Sequence, residues 1–179
     1  KKAGGDLRQL EGREFFAEFF DPTDKLGADV PFPKSHVAYG FATHVVILDD
    51  DGRVKEVYAA HDSGKVVNPT SIQGQIEGGV LMGLGYALTE DFPLKDAVPQ
   101  AKYGTLGLMR APQIPDIHAI YVEKEELLPF AYGAKGIGEI ATIPTAPAAQ
   151  GAYYAMDHVL RTKLPMEDTY YSNKQKAVR

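Results

Sequence analysis

Asn68-Pro69-Thr70-Ser71-Ile72-Gln73-Gly74-Gln75-Ile76-Glu77-Gly78-Gly79-Val80-Leu81-Met82-Gly83-Leu84-Gly85-Tyr86-Ala87-Leu88 is the stretch whose periodicity organises the chain. Apolar residues at Ile72, Ile76, Val80, Leu84 and Leu88 recur at every fourth position. Proline suits a first helical residue, where an N–H would have no intrahelical acceptor. The spacing predicts a helix from Pro69 to near Glu90, with Asn68 suited to cap it. Five glycines lie within it, at 74, 78, 79, 83 and 85. Each costs about 1 kcal/mol of helix propensity against alanine, about 5 kcal/mol together, so close backbone packing or close ligand approach must offset them.

Upstream, residues 37–48 and 54–60 are rich in β-branched and aromatic side chains and flank Asp49-Asp50-Asp51-Gly52, the pattern of a β-hairpin around an Asp-Gly turn. The acidic cluster is not a calcium loop, because Ile47 and Tyr58 stand where oxygen ligands are required. The Phe-rich residues 14–20 suit a strand by composition, and residues 27–35, with Pro31 and Pro33, a connecting loop. Downstream, residues 116–123 alternate like a strand. Ala149, Ala152, Met156, Val159 and Leu160, following Pro147, predict a second helix reaching about Arg161. The expected fold class is α+β, a mixed sheet with hairpins and two main helices. The expected organisation is an N-terminal strand and connector over 1–35, a principal domain over 36–171 and a tail over 172–179.

With 179 residues and 44% hydrophobic content, the chain can bury a substantial core. A net charge of -5 argues against a phosphate-backbone partner. The absence of cysteine excludes disulfides, thiolate nucleophiles, Cys-ligated zinc and Cys-ligated iron–sulfur clusters within this sequence. No bilayer-length apolar run or signal-peptide pattern is present, and a cytoplasmic location is expected. Opening on Lys1 rather than Met, the sequence reads as a fragment of a larger protein.

Gly133-Ala134-Lys135-Gly136-Ile137-Gly138-Glu139 is the most unusual segment. Its glycines let the backbone approach a ligand, and successive N–H groups can form an anion-binding nest. It is not a P-loop, since Glu139 stands where lysine should, nor a dinucleotide fingerprint. A plain turn whose glutamate caps the next helix is the competing reading. Gln75 offers an amide donor and acceptor beside Gly74 and Gly78, against the simpler reading of an exposed helix glutamine. Asp62 and Asn68 are better suited to organising a turn and capping a helix than to catalysis. The five histidines, at 36, 44, 61, 118 and 158, have no metal-binding helical spacing and read as structural or surface residues; no metal ligand is assigned. No G-x-S-x-G elbow supports a serine hydrolase.

Asp62-Ser63-Gly64-x-x-x-Asn68-Pro69, then Gly74-Gln75-Ile76-Glu77-Gly78-Gly79 with Gly83 and Gly85, then residues 133–139, resemble in that order the molybdenum hydroxylases, the xanthine dehydrogenase and aldehyde oxidase family. The resemblance covers roughly residues 36–171 and corresponds to the C-terminal part of the molybdopterin-binding region. It implies a hydroxylase that inserts water-derived oxygen at an electron-poor carbon of a heterocycle or aldehyde. In that family the glutamate matching Glu139 takes the proton from the metal-bound hydroxyl. The resemblance also implies that Lys135, Gly136, Ile137 and Gly138 approach the pterin end of the cofactor and that Gln75 lies near it.

Many relatives follow the glutamate with Pro-Pro, whereas this chain has Ile140-Ala141-Thr142-Ile143-Pro144, a variant that looks like the selenium-dependent xanthine dehydrogenases. The expected cofactor is molybdenum-molybdopterin, in its dinucleotide form, with iron–sulfur clusters and FAD on other domains or subunits. The expected partners are a purine such as xanthine or hypoxanthine, the earlier half of the molybdenum region, and the iron–sulfur and flavin components, with no nucleic acid and no membrane. The alternatives are a relative acting on aldehydes or other N-heterocycles, and a non-catalytic cofactor-binding or assembly domain. Glu139 argues against mere anion binding, which a carboxylate there would weaken.

Overall fold

The computed structural model describes residues 6–18, 20, 22–36, 38–102, 104–123 and 131–172. The chain divides into two compact units, Lys1–Val37 and Ala38–Arg179. In the first, Leu7–Leu10 forms a short 3-10 helix, its first turn held by the Asp6 carboxylate accepting from the Arg8 backbone N–H. The strand expected over residues 14–20 does not form: residues 14–18 and 20 carry no regular structure, and residue 19 lies outside the described set. Aromatic composition favours a strand only where a neighbour supplies ladder partners and a face to pack on.

The second unit begins with the expected hairpin. Strand β1 (Phe41–Leu48) pairs antiparallel with β2 (Val54–Asp62), from Phe41 opposite Asp62 to Leu48 opposite Val54, with a bulge at Ile47/Leu48. Gly52 supplies the positive φ of the turn, at 80°. The Asp49 carboxylate accepts from the backbone N–H groups of Asp51 and Arg53, so it organises the turn.

Helix α1 (Pro69–Leu88) follows, with Pro69 in its first turn and the Asn68 side chain accepting from Ser71 N at 3.0 Å. Its five fourth-position apolar residues are all buried. The small hairpin of β3 (Leu94–Lys95) and β4 (Val98–Pro99) turns through Asp96 and Ala97, both at positive φ. Strand β5 (Asp116–Tyr121) then pairs parallel with β2, Glu56 opposite Asp116 and His61 opposite Tyr121. The resulting sheet is mixed, in the order β1-β2-β5.

Helix α2 (Thr145–Asp157) stops four residues short of Arg161, because His158 adopts the left-handed conformation, φ 59°. Its buried residues are Thr145, Ala149 and Tyr153, while Met156, Val159 and Leu160 are exposed, so the expected apolar stripe is displaced by the early stop. The core lies between the helices and one sheet face, with Val46, Val57, Ala59, Ile76, Val80, Leu84 and Tyr153 at its centre. No helix among the described residues is long and apolar enough to cross a membrane. Of the expected tail, residues 173–179 lie outside the described set.

Candidate functional site

The end of β2 seizes the start of the glycine-rich segment. Lys65 N donates to Gly133 O at 2.9 Å, and Lys135 N donates to Ser63 O at 2.9 Å, forming a bridge between Gly64 and Ala134. Residue 64 must be glycine: its φ is +61°, and a Cβ there would collide with the carbonyl oxygen of Gly133. Behind this bridge, Lys135 Nζ donates to Asp62 Oδ2 at 2.7 Å. The two side chains are only 5% and 6% exposed. The other Asp62 oxygen accepts from Gly64 N at 3.1 Å, and the ammonium lies 5.8 Å from the centre of the Phe41 ring. The Lys135 side chain is therefore directed into the fold, leaving its neighbours' backbone to meet a ligand.

From Lys135 the chain becomes an open strap. The N–H groups of Gly136, Ile137 and Gly138 donate to no acceptor among the described residues. Space around a would-be Cβ at Gly136 or Gly138 is empty, and Ile137 packs against the core. Glu139 is exposed, and its carboxylate makes no hydrogen bond or ion pair among the described residues. It does not cap α2, whose N-cap is Pro144 without a side-chain bond.

The strap then runs beside α1. A Cβ at Gly79 would lie 2.8 Å from the carbonyl carbon of Ala141, and one at Gly83 would lie 2.9 Å from the carbonyl oxygen of Thr142 and 2.5 Å from Thr145 Cβ. Close packing thus accounts for these two helix glycines. Gly74 and Gly78 are open, and they line a groove of about 410 Å³ with Glu77, Leu81 and residues 114–117. Gln75 is exposed, one turn before Gly79 on the same helix face. Ala141 sits beside Gly79 and Thr145 beside Gly83, so residues 141–145 follow the helix direction, in a run of turns in which Thr142 N donates to Glu139 O at 3.0 Å.

The downstream end of the strap is held by a chain of buried polar groups. Thr145 Oγ1 is 3.0 Å from His44 Nδ1, and His44 Nε2 is 2.8 Å from His61 Nε2. Burial, and then the neighbouring His61, lower the His44 pKa to about 4, while burial lowers that of His61. Both rings are neutral at pH 7, so one Nε2 donates and the other accepts. This cluster is a missed feature of the sequence. Its available signal was the period of β1, which turns His44 inward with Val46; the pairing with His61 has no local signal.

A molybdopterin cofactor-binding domain model matches residues 2–117. The chain belongs to that family, as part of the molybdenum-binding region of the molybdenum hydroxylases. Among its relatives, a probable xanthine dehydrogenase component from Bacillus subtilis is 33% identical over 145 residues, covering 76% of this chain and 19% of that protein. The isoquinoline 1-oxidoreductase beta component of Brevundimonas diminuta is 28% identical over 140 residues, covering 78% and 17%. A solved quinoline 2-oxidoreductase from Pseudomonas putida 86 has a TM-score of 0.57 at 28% identity, over 63% of this chain and 15% of that one. This chain therefore spans less than a fifth of the two curated relatives' length, 19% and 17%. The match ends before residues 133–139. The geometry of the strap fits a phosphate-bearing pterin: three successive N–H groups lack acceptors among the described residues, and two glycines leave the approach clear.

Proposed function

We propose that this chain supplies the catalytic base and part of the cofactor cradle of a molybdenum-dependent hydroxylase oxidising a purine such as xanthine or hypoxanthine. One observation carries the reading: an exposed, unpartnered carboxylate, Glu139, directly follows three free N–H donors on a strap held to the sheet and to α1. The N–H groups of Gly136, Ile137 and Gly138 would hold the anionic end of the cofactor, and the exposed Gln75 amide of α1 would supply a further donor and acceptor to it. When bound, the molybdenum cofactor, in its dinucleotide form, supplies the two-electron chemistry of hydroxylation. Glu139 accepts the proton released during attack on the substrate carbon and hands it back to solvent. Its exposure in this chain leaves it open to that substrate, and closure of the site by the rest of the enzyme would exclude water from it.

Iron–sulfur and flavin components on other domains or subunits would carry the electrons away. The relatives named for isoquinoline and quinoline favour a second substrate class, other N-heterocycles, at the same site. The test is Glu139→Gln in the full-length, cofactor-loaded enzyme at matched molybdenum content, assayed with xanthine, hypoxanthine, quinoline and an aldehyde. Turnover should fall by on the order of 100-fold or more with the metal retained. Parent-like turnover would return Glu139 to a structural role, and the preferred compound identifies the substrate class.

A further inference from the structure

We infer that Asp62 is a positioning residue for Glu139, acting through its buried ion pair with Lys135. This rests on the reading of Glu139 as the base. Gly136, Ile137 and Gly138 separate Lys135 from Glu139, and this span makes no backbone hydrogen bond among the described residues. Its two glycines also leave the backbone few steric limits. The direction of Glu139 is therefore set by its own turn, in which its carbonyl accepts from Thr142 N at 3.0 Å, by Ile137 packing and by what grips the strap at its ends.

Downstream the grip is Ala141 against Gly79 and Thr145 on His44. Upstream the backbone bonds to the residues just after β2 stop at Lys135, and the last polar side chain to fix the departing chain is that of Lys135 itself. Asp62 is suited to hold it. It is the final residue of β2, set in register opposite Phe41, and its second oxygen is occupied by Gly64 N–H. A buried charge without its partner is strongly unfavourable, so the two groups hold each other in one place. Engagement with Asp62 also keeps the ammonium from turning toward the Glu139 carboxylate.

The test uses the full-length holoenzyme with xanthine as substrate, comparing Asp62→Asn, Lys135→Arg and the double variant Asp62→Leu/Lys135→Met. It reads amide hydrogen exchange over residues 136–139, molybdenum content, and kcat and KM as functions of pH. Asp62→Asn should speed exchange by at least about tenfold. It should also lower kcat by on the order of 100-fold with KM little changed, the scale of a misplacement near 1 Å. Lys135→Arg, which keeps the charge, should retain much more of the parent kcat than Asp62→Asn.

The double variant removes both buried charges and should regain thermal stability without regaining kcat or slow exchange. It therefore decides the matter if Asp62→Asn fails to fold. Parent-like exchange in Asp62→Asn, or parent-like kcat in the double variant, overturns the proposal. Should Glu139→Gln prove active, the base assignment falls, while the exchange data still decide whether Asp62 orders the strap.

Discussion

The Nε2 atoms of His44 and His61 face one another at 2.8 Å inside the core, a contact that exists only while the rings share a single proton at that point. The His44 pKa falls from 6.5 to about 4, by burial first and by His61 second. The unfolded chain therefore binds a proton near pH 6.5 that the folded chain refuses. Unfolding free energy should rise with pH between about 4 and 6.5 and level off above, the His44 share amounting to roughly 3 kcal/mol. Urea unfolding across that window checks it against His44→Gln, which should remove the His44 part of the slope and leave the parts due to His61 and the carboxylates.

Four of the five α1 glycines should divide into two pairs. Gly79→Ala and Gly83→Ala press a methyl group into the backbone of the strap and should each cost roughly 1–3 kcal/mol. Gly74→Ala and Gly78→Ala meet open space and should be neutral or stabilising by up to about 1 kcal/mol. Thermal unfolding of the four variants distinguishes a helix built for packing at one end from one merely tolerant of glycine.

Gly64→Ala combines a left-handed φ with a collision against Gly133 O. We expect a loss of at least about 2 kcal/mol and weaker molybdenum retention in the loaded enzyme. Gly12→Ala, also at positive φ but with nothing near the added methyl, should cost less and leave the metal content unchanged.

Tyr171 OH accepts the Val54 backbone N–H at 3.1 Å in the core. Tyr171→Phe strands that donor and should cost roughly 1–3 kcal/mol, whereas Tyr154→Phe, on the exposed side of α2, should change stability by less than about 0.5 kcal/mol. Parallel denaturation curves of the two variants measure the difference.

Local chemistry made most of this fold legible. The fourth-position apolar residues of α1, the Asp-Gly turn and the alternation of β5 each encode their element within a few residues. Residues 14–20 misled because strand propensity says nothing about whether a partner exists. The β3–β4 hairpin escaped because two-residue strands carry no period, and its turn uses Asp96 and Ala97 rather than Asn-Gly. Within the site, the glycine pattern marked the strap, but not what holds it. Asp62 was legible as a turn former through its bond to Gly64, while its pairing with Lys135 spans 73 residues of sequence. The histidine chain spans 101 residues at its Thr145 end and is equally invisible to local pattern.

The strap's path along Gly79 and Gly83 gives the chain an uneven tolerance of length change. One residue added between Glu139 and Thr145 would break the turn in which Thr142 N donates to Glu139 O and so shift the carboxylate, because Ala141 and Thr145 are seated against fixed glycines. The same addition at the exposed Asp96-Ala97 turn would alter a hairpin tip and nothing it carries. Evolutionary insertions and engineered tags have room in the hairpin, and the six-residue run after Glu139 behaves as a ruler.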